Sequence, residues 1–182
     1  VLKSSFVARA DLAGWALFGW LSKLRQTIFI DRENRARSGA HLEQMIERLE
    51  VRDSLILFPE GTSSDGGRVL PFKSSLFAVA ERWTGEKPLT VQPVSIAYTE
   101  LNGMPLGRHH RPYVGWFGDM ELGPHLWELL TMGRVTAAVR FHDPVTLETL
   151  KSRKAMCAHC YGEINRTVEE FNGHQRPASR AA

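Results

Sequence analysis

Two short segments of this sequence place charged side chains just past apolar runs, where they could hold an anionic or polar ligand. In "FIDR", residues 29–32, a β-rich run delivers Asp31 and Arg32; in "FPEGTSSDGG", residues 58–67, a second apolar run delivers Glu60, Gly61, Thr62 and Ser63. Arg32 offers a planar fork suited to bidentate contact with phosphate or carboxylate. Glu60, acceptor-only when ionised, could orient Arg32, a loop backbone or a substrate hydroxyl. Gly61 lets backbone approach a ligand closely. Taken singly, an Asp-Arg pair is an ordinary solvated strand exit and Pro-Glu-Gly-Thr an ordinary turn. The glycines do not form a nucleotide phosphate loop, because the GxxxxGK[ST] spacing is missing. Asp31 and Glu60 as a glycosidase pair would need carboxyl groups about 5–9.5 Å apart across a sugar pocket, and no aromatic-lined sugar site accompanies them.

The elements that must position these segments follow from periodicity. Phe6 opens a short strand, and residues 27–30, "TIFI", form another. Leu42, Met45, Ile46 and Leu49 recur at the helical period and predict a helix over Ser38–Glu50. "SLILF", residues 54–58, is a continuous apolar run that suggests a strand buried on both faces. A helix over residues 74–83 would bury Leu76, Val79, Ala80 and Trp83. Residues 89–98 form a strand candidate in which Pro93 implies an edge or a bulge. A short helix starts near Pro124, "VTAAVRF" alternates as a strand over Val135–Phe141, and a long helix covers residues 146–171. Strands alternating with helices predict an α/β fold with a parallel or mixed sheet. In such sheets ligands bind beyond the carboxyl ends of strands, which is where both charged segments fall.

In this order and spacing the segments resemble the 1-acylglycerol-3-phosphate acyltransferase superfamily. "FVAR" at Phe6 is similar to the family's FVAK-like strand, "TIFIDR" to its second block, "FPEGTSSDGGRVLPFKSSLF" to its FPEGTRS-to-PFK block, and "VQPVSI" at Val91 to its fourth. Similarity runs over residues 6–171, and the "GWFGDMELGPHLWELL" and "VRFHDPV" segments look most like alphaproteobacterial members, some of which acylate lyso-ornithine lipid. The resemblance implies a mixed, largely parallel sheet flanked by helices, lacking its N-terminal part, with an acyltransferase domain over residues 1–172. It implies transfer of a fatty acyl group from acyl-CoA or acyl carrier protein to the free hydroxyl of a lysolipid. The acceptor ranked first is 1-acylglycerol-3-phosphate, and lyso-ornithine lipid is the alternative. Head-group contacts would fall to Arg32, Glu60, Gly61, Thr62, Ser63 and Lys73, with no metal or other cofactor.

Two departures qualify this. The family's HxxxxD block, whose His is the general base, has no counterpart: none of His41, His109, His110, His125, His142, His159 and His174 is followed by Asp five positions on. The block is expected upstream of Val1, and a free sheet edge near Phe6 is expected with it. Without that block, a non-catalytic lysolipid-binding module at a membrane surface is the competing reading. Ser63 stands where relatives commonly carry Arg, so one cationic head-group ligand is absent there, and Arg68 or Lys73 could compensate.

Composition sets outer limits. The net charge of +3 suits an anionic membrane surface or phosphorylated substrate, while runs of no more than two basic residues argue against nucleic acid. Cys157 and Cys160 lie on a helical apolar stripe and read as buried thiols rather than metal ligands. Residues 12–22, "LAGWALFGWLS", are too short to span a bilayer, which takes about 20 apolar residues. With Lys23 and Arg25 beside them they suit core packing or a membrane interface. The expected location is the cytoplasmic face of the inner membrane, peripheral or anchored by a segment upstream. Residues 173–182 are small, polar and basic, and predict a disordered tail.

Overall fold

The strand expected at Phe6 forms, and it takes the middle of a parallel sheet. A computed structural model describes residues 4–9, 28–30, 38–118 and 120–173. Strand β1 (Ser4–Arg9) pairs through its second half with β2 (Ile28–Ile30) and through its first half with β3 (Ser54–Ile56), both parallel, in the order β2-β1-β3. Phe6 is in register with Ile56 of β3, and β2 is in register only with Val7–Arg9, so among the described residues Ser4–Phe6 pair on one side alone. Parallel pairing among the described residues is confined to these strands. A two-stranded antiparallel sheet joins β4 (Thr90–Val91) to β8 (Val145–Thr146). An antiparallel sheet of order β6-β5-β7 joins β5 (Val94–Leu101), β6 (Met104–Pro105) and β7 (Val135–Phe141).

Helix α1 (Ser38–Glu50) spans its predicted range and turns the predicted stripe inward: Met45 is buried with Val79, and the half-buried Leu42, Ile46 and Leu49, with Leu55 and Leu57, pack around that pair. It stops because the chain turns left-handed at Arg52 (φ 63°). There the Asp53 N–H reaches the Arg48 carbonyl and the Arg52 N–H the Leu49 carbonyl, each at 3.0 Å, a Schellman arrangement that satisfies two terminal carbonyls.

Four expectations are corrected. "SLILF" is not buried on both faces: β3 ends at Ile56 and Phe58 is 56% exposed, because β3 is an edge strand and Phe58 already starts the following loop. The helix over 74–83 begins as a 3-10 turn (Ser74–Phe77) and becomes α2 (Ala78–Arg82). Its tighter winding rotates the apolar face, so Phe77 rather than Leu76 is buried with Val79 and Ala80. The strand over 89–98 divides into β4 and β5, which join different sheets. The break falls at Gln92-Pro93; Pro93 has no N–H for a ladder, and its carbonyl accepts the His142 N–H at 3.0 Å. The long final helix divides as well. Thr146 and Thr149 form a capping box on α5 (Leu147–Leu150), Lys151 turns left-handed, and α6 runs over Arg153–Gly173. The remaining helices are α3 (Arg111–Val114) and α4 (Leu122–Thr131), where Pro124 is the third residue rather than the first.

Helix α6 anchors the core. Met156, fully buried, lies with Cys157, Cys160, Phe77 and Ala80, and Phe72, Leu89, Val91 and Val145 close around them. Both cysteines are free, as expected, and burial pushes the Cys160 thiol up to about 11. Polar contacts tie α6 to the antiparallel sheet. Ser95 Oγ lies 2.7 Å from His142 Nε2, and His142 Nδ1 lies 3.8 Å from the Glu163 carboxylate. Arg140 donates to Glu170 at 2.6 Å and lies over the Phe171 ring. The opposite sheet face leaves Ile96, Tyr98, Val139 and Phe141 exposed. No helix among the described residues is long and apolar enough to cross a membrane. The tract at residues 12–22 and residues 174–182 of the expected tail lie outside the described residues.

Truncating Met156 to Ala would leave a cavity where α6, the 3-10 turn, β4 and β8 meet. The expected cost is about 2–5 kcal/mol, read as a lower urea midpoint at unchanged slope. A native-state thiol titration should find Cys157 and Cys160 unreactive until the chain unfolds.

Candidate functional site

β2 and β3 run parallel on either side of β1, so their carboxyl ends share one end of the sheet. Glu60 follows β3 by four residues. Asp31 and Arg32 follow β2 directly in sequence and lie outside the described residues. The site that can be built is therefore the loop from residue 58 to residue 73.

This connection belongs to neither helix nor sheet, so its backbone polar groups need other partners. The Lys73 N–H donates to the Pro59 carbonyl at 2.8 Å, closing the base, and the Gly61 N–H donates to the Phe58 carbonyl at 3.1 Å. Across that base the half-buried Glu60 carboxylate accepts the Leu70 N–H through Oε2 at 2.8 Å. Among the described residues, the loop backbone is the partner that Glu60 engages. Burial pushes the Glu60 carboxyl above its usual range, and the Leu70 N–H pulls the other way.

Gly61 is required where it stands. Its φ is +72°, and a Cβ there would lie 3.1 Å from Cδ, Cε and Nζ of Lys73, so the lysine side chain crosses directly over the glycine. Glu60, Gly61 and Lys73 are thus brought together at the loop base. Thr62 and Ser63 stand exposed beyond it. The outer turn is held locally: Ser64 Oγ accepts the Gly66 N–H at 3.3 Å, and Asp65 accepts the Gly67 N–H at 2.9 Å. Arg68 is exposed on the return limb. The loop presents a hydroxyl-bearing tip, the exposed Arg68 on its return limb, and Lys73 crossing Gly61 at a base braced by the partly desolvated Glu60 carboxylate. That assembly can hold a polar, anionic head group by charge-assisted hydrogen bonds.

Two features escaped the sequence reading. Arg111 is buried and donates from Nη2 to the Asn172 carbonyl at 3.2 Å, while the Asn172 side chain donates to the Gly67 carbonyl at 3.3 Å. Burial and the nearby Arg108 lower the Arg111 pKa, and Asp65 opposes them. These partners lie 61 and 105 residues apart in sequence, so no local pattern announces them. The Ser95–His142–Glu163 line has the residue types of a hydrolytic triad, but Ser95 is 0% exposed and cannot meet an acyl donor. It is a structural link between sheet and helix.

Since burial holds the Glu60 carboxyl high in the folded chain, its contribution to stability is fullest below the ordinary carboxylate pKa. That contribution is lost as pH rises through the folded value. Glu60→Gln stays neutral and keeps an amide oxygen for Leu70. Its urea midpoint should exceed the parent's at about pH 7, with the difference shrinking toward about pH 4. Glu60→Ala strands the Leu70 N–H and should cost about 1 kcal/mol at about pH 4, a cost that shrinks toward about pH 7 as the parent loses the contribution of its carboxyl. Equal midpoints for Gln and Glu at both pH values would show that ionisation of Glu60 carries no folding cost.

The profile of the family described as Acyltransferase matches residues 3–97. A lyso-ornithine lipid O-acyltransferase of Brucella abortus (strain 2308) is 43% identical over 155 residues, covering 84% of this chain and 58% of that protein. A protein of the same name from Rhizobium meliloti (strain 1021) is 36% identical over 179 residues, covering 96% of this chain and 61% of its own length. The crystal structure of the 1-acyl-sn-glycerophosphate acyltransferase from Thermotoga maritima superposes with a TM-score of 0.58 at 24% identity, covering 98% of this chain and 60% of that one, and supports the fold. The chain thus spans about three fifths of the length of these proteins. The FVAR, TIFIDR, FPEGT and VQPVSI segments all fall within the matched stretch, and the chain belongs to the acyltransferase family.

Proposed function

We propose that this chain supplies the acceptor-binding part of an O-acyltransferase. The enzyme would move a fatty acyl group from acyl-CoA or acyl carrier protein to the free hydroxyl of a lysolipid. The observation that carries this is the braced loop from residue 58 to residue 73, with Glu60, Gly61 and Lys73 gathered at its base and Thr62 and Ser63 exposed at its tip. In the reaction the acceptor oxygen attacks the thioester carbonyl, the C–S bond breaks, and the thiol departs with the proton taken from the hydroxyl. A general base contributes typically about 10²–10⁴-fold to such a step. The family's HxxxxD histidine would be that base, and this sequence contains no such motif. The role of the residues present would be to bind and orient the acceptor, a task in which Arg32, next after Asp31 in the sequence that follows β2, would share. The working location is the cytoplasmic face of the inner membrane.

For the acceptor we favour lyso-ornithine lipid over lysophosphatidate. A phosphate monoester carries close to two charges and rewards several cationic donors, whereas a zwitterionic head group needs fewer. Ser63, exposed at the loop tip, supplies a hydroxyl where the family motif commonly has Arg. The names of the Brucella and Rhizobium relatives favour the same acceptor.

Three outcomes are expected. Alone, the 182-residue chain should turn over no lysolipid above a buffer blank with either thioester donor, for want of the base. The full gene product, offered both acceptors at equal concentration, should show the higher kcat/KM with lyso-ornithine lipid. Ser63→Arg should move that ratio toward lysophosphatidate by about tenfold, the worth of one charge-assisted hydrogen bond. A ratio indifferent to the substitution would remove position 63 from head-group recognition.

A further inference from the structure

The loop's own hydrogen bonds fix its shape, but not its attitude toward the rest of the molecule. Its base is tied to β3 and the 3-10 turn through Pro59, Glu60 and Lys73. Its outer limb, residues 64–68, is met by the C-terminal half of the chain. Asn172, in the last turn of α6, donates from Nδ2 to the Gly67 carbonyl at 3.3 Å. Arg111, 7% exposed, donates to the backbone carbonyl of that same Asn172 at 3.2 Å and feels the charge of Asp65. Gly115, just past α3, lies so close that a Cβ on it would stand 3.2 Å from the Ser64 carbonyl oxygen and 3.6 Å from the Asp65 carbonyl carbon. Arg111 thus holds a helix end whose carbonyls carry partial negative charge, and that helix end holds the loop.

Thr62 and Ser63 lie on the inner side of this limb in sequence, and Arg68 on the outer. Where they stand relative to Glu60 and Lys73 depends on both attachments, not on the base alone. We propose that Arg111 and Asn172 are positioning residues for the acceptor: by holding Gly67 and Asp65 they set the placement of Ser63 and Arg68 around the lysolipid head group. Neither touches the reacting atoms. This rests on reading the loop as the acceptor site.

The test uses the full gene product and three substitutions that act on the corner differently. Asn172→Ala removes the donor to Gly67, Arg111→Lys keeps a cation but loses the fork, and Gly115→Ala pushes on Ser64 with both side chains intact. Amide hydrogen exchange over residues 64–70, without substrate, reports the hold on the loop independently of catalysis. Steady-state kinetics with each substrate varied in turn report its use. Each variant should speed exchange in that segment and raise the acceptor KM about fivefold, the worth of one lost hydrogen bond. The KM for the acyl thioester and the Tm should stay near the parent values. Asn172→Gln, which retains the amide donor, should recover most of the acceptor KM. Unchanged exchange, faster exchange with an unchanged acceptor KM, or a Tm loss with both KM values moved together would each overturn the proposal. A parent protein that acylates no lysolipid would overturn the functional reading and this inference with it; an active parent with indifferent variants would overturn this inference alone.

Discussion

The 2.8 Å hydrogen bond from the Leu70 N–H to the Glu60 carboxylate is the constraint on which the candidate site depends. A connection between an edge strand and a 3-10 turn has no ladder or helix to satisfy its backbone, and a loop of this length would otherwise sample many shapes. One acidic side chain reaching across the base, with the Lys73–Pro59 backbone pair beside it, converts the connection into a closed unit. The carboxylate is held there against its own desolvation. Gly61 completes the unit by accepting a left-handed φ and leaving room for the stem of Lys73. The same three residues brace the loop and, in the function proposed for it, would also meet the acceptor, so that a substitution there touches both.

The sheets divide the labour. The parallel strands β2, β1 and β3 carry or lead into three of the four segments that resemble family motifs, VQPVSI falling on β4 and β5, and their common direction brings the ends of β2 and β3 to one side. The antiparallel strands and α6 form a separate buttress, joined by the Ser95–His142 contact and by Arg140 with Glu170. The buttress reaches the loop through the last turn of α6. A binding loop suspended between two such bodies has its two limbs referenced to different parts of the fold.

Much of this was legible in the residues. The stripe Leu42, Met45, Ile46 and Leu49 announced α1, and the alternation of "VTAAVRF" announced β7 over Val135–Phe141. The apolar stripe with Cys157 and Cys160 announced the buried side of α6. Errors arose where short-range pattern and tertiary context disagree. "SLILF" has the composition of a central strand, yet its partner strand β1 lies on one side only, and Phe58 is freed to turn. A 3-10 start changes the phase of an apolar face by a few tens of degrees per residue, enough to exchange Leu76 for Phe77. Left-handed turns at Arg52 and Lys151 carry no glycine to mark them. In the site, motif spacing singled out Glu60, Gly61 and Lys73, whereas Arg111 and Asn172 meet the loop only because α6 folds back across the molecule, a relation with no local trace.

Ser63 stands apart from this economy. It is exposed, and the hydrogen bonds described within the loop run through Glu60, Ser64, Asp65 and the backbone rather than through its hydroxyl. Under the function proposed here, selection on membrane lipid composition could act on position 63 with little interference from selection on foldedness. A lineage that changes its polar lipids could retune this residue in a single step, with no compensating substitutions, and in deep comparisons position 63 should track lipid repertoire while Glu60 and Gly61 stand still.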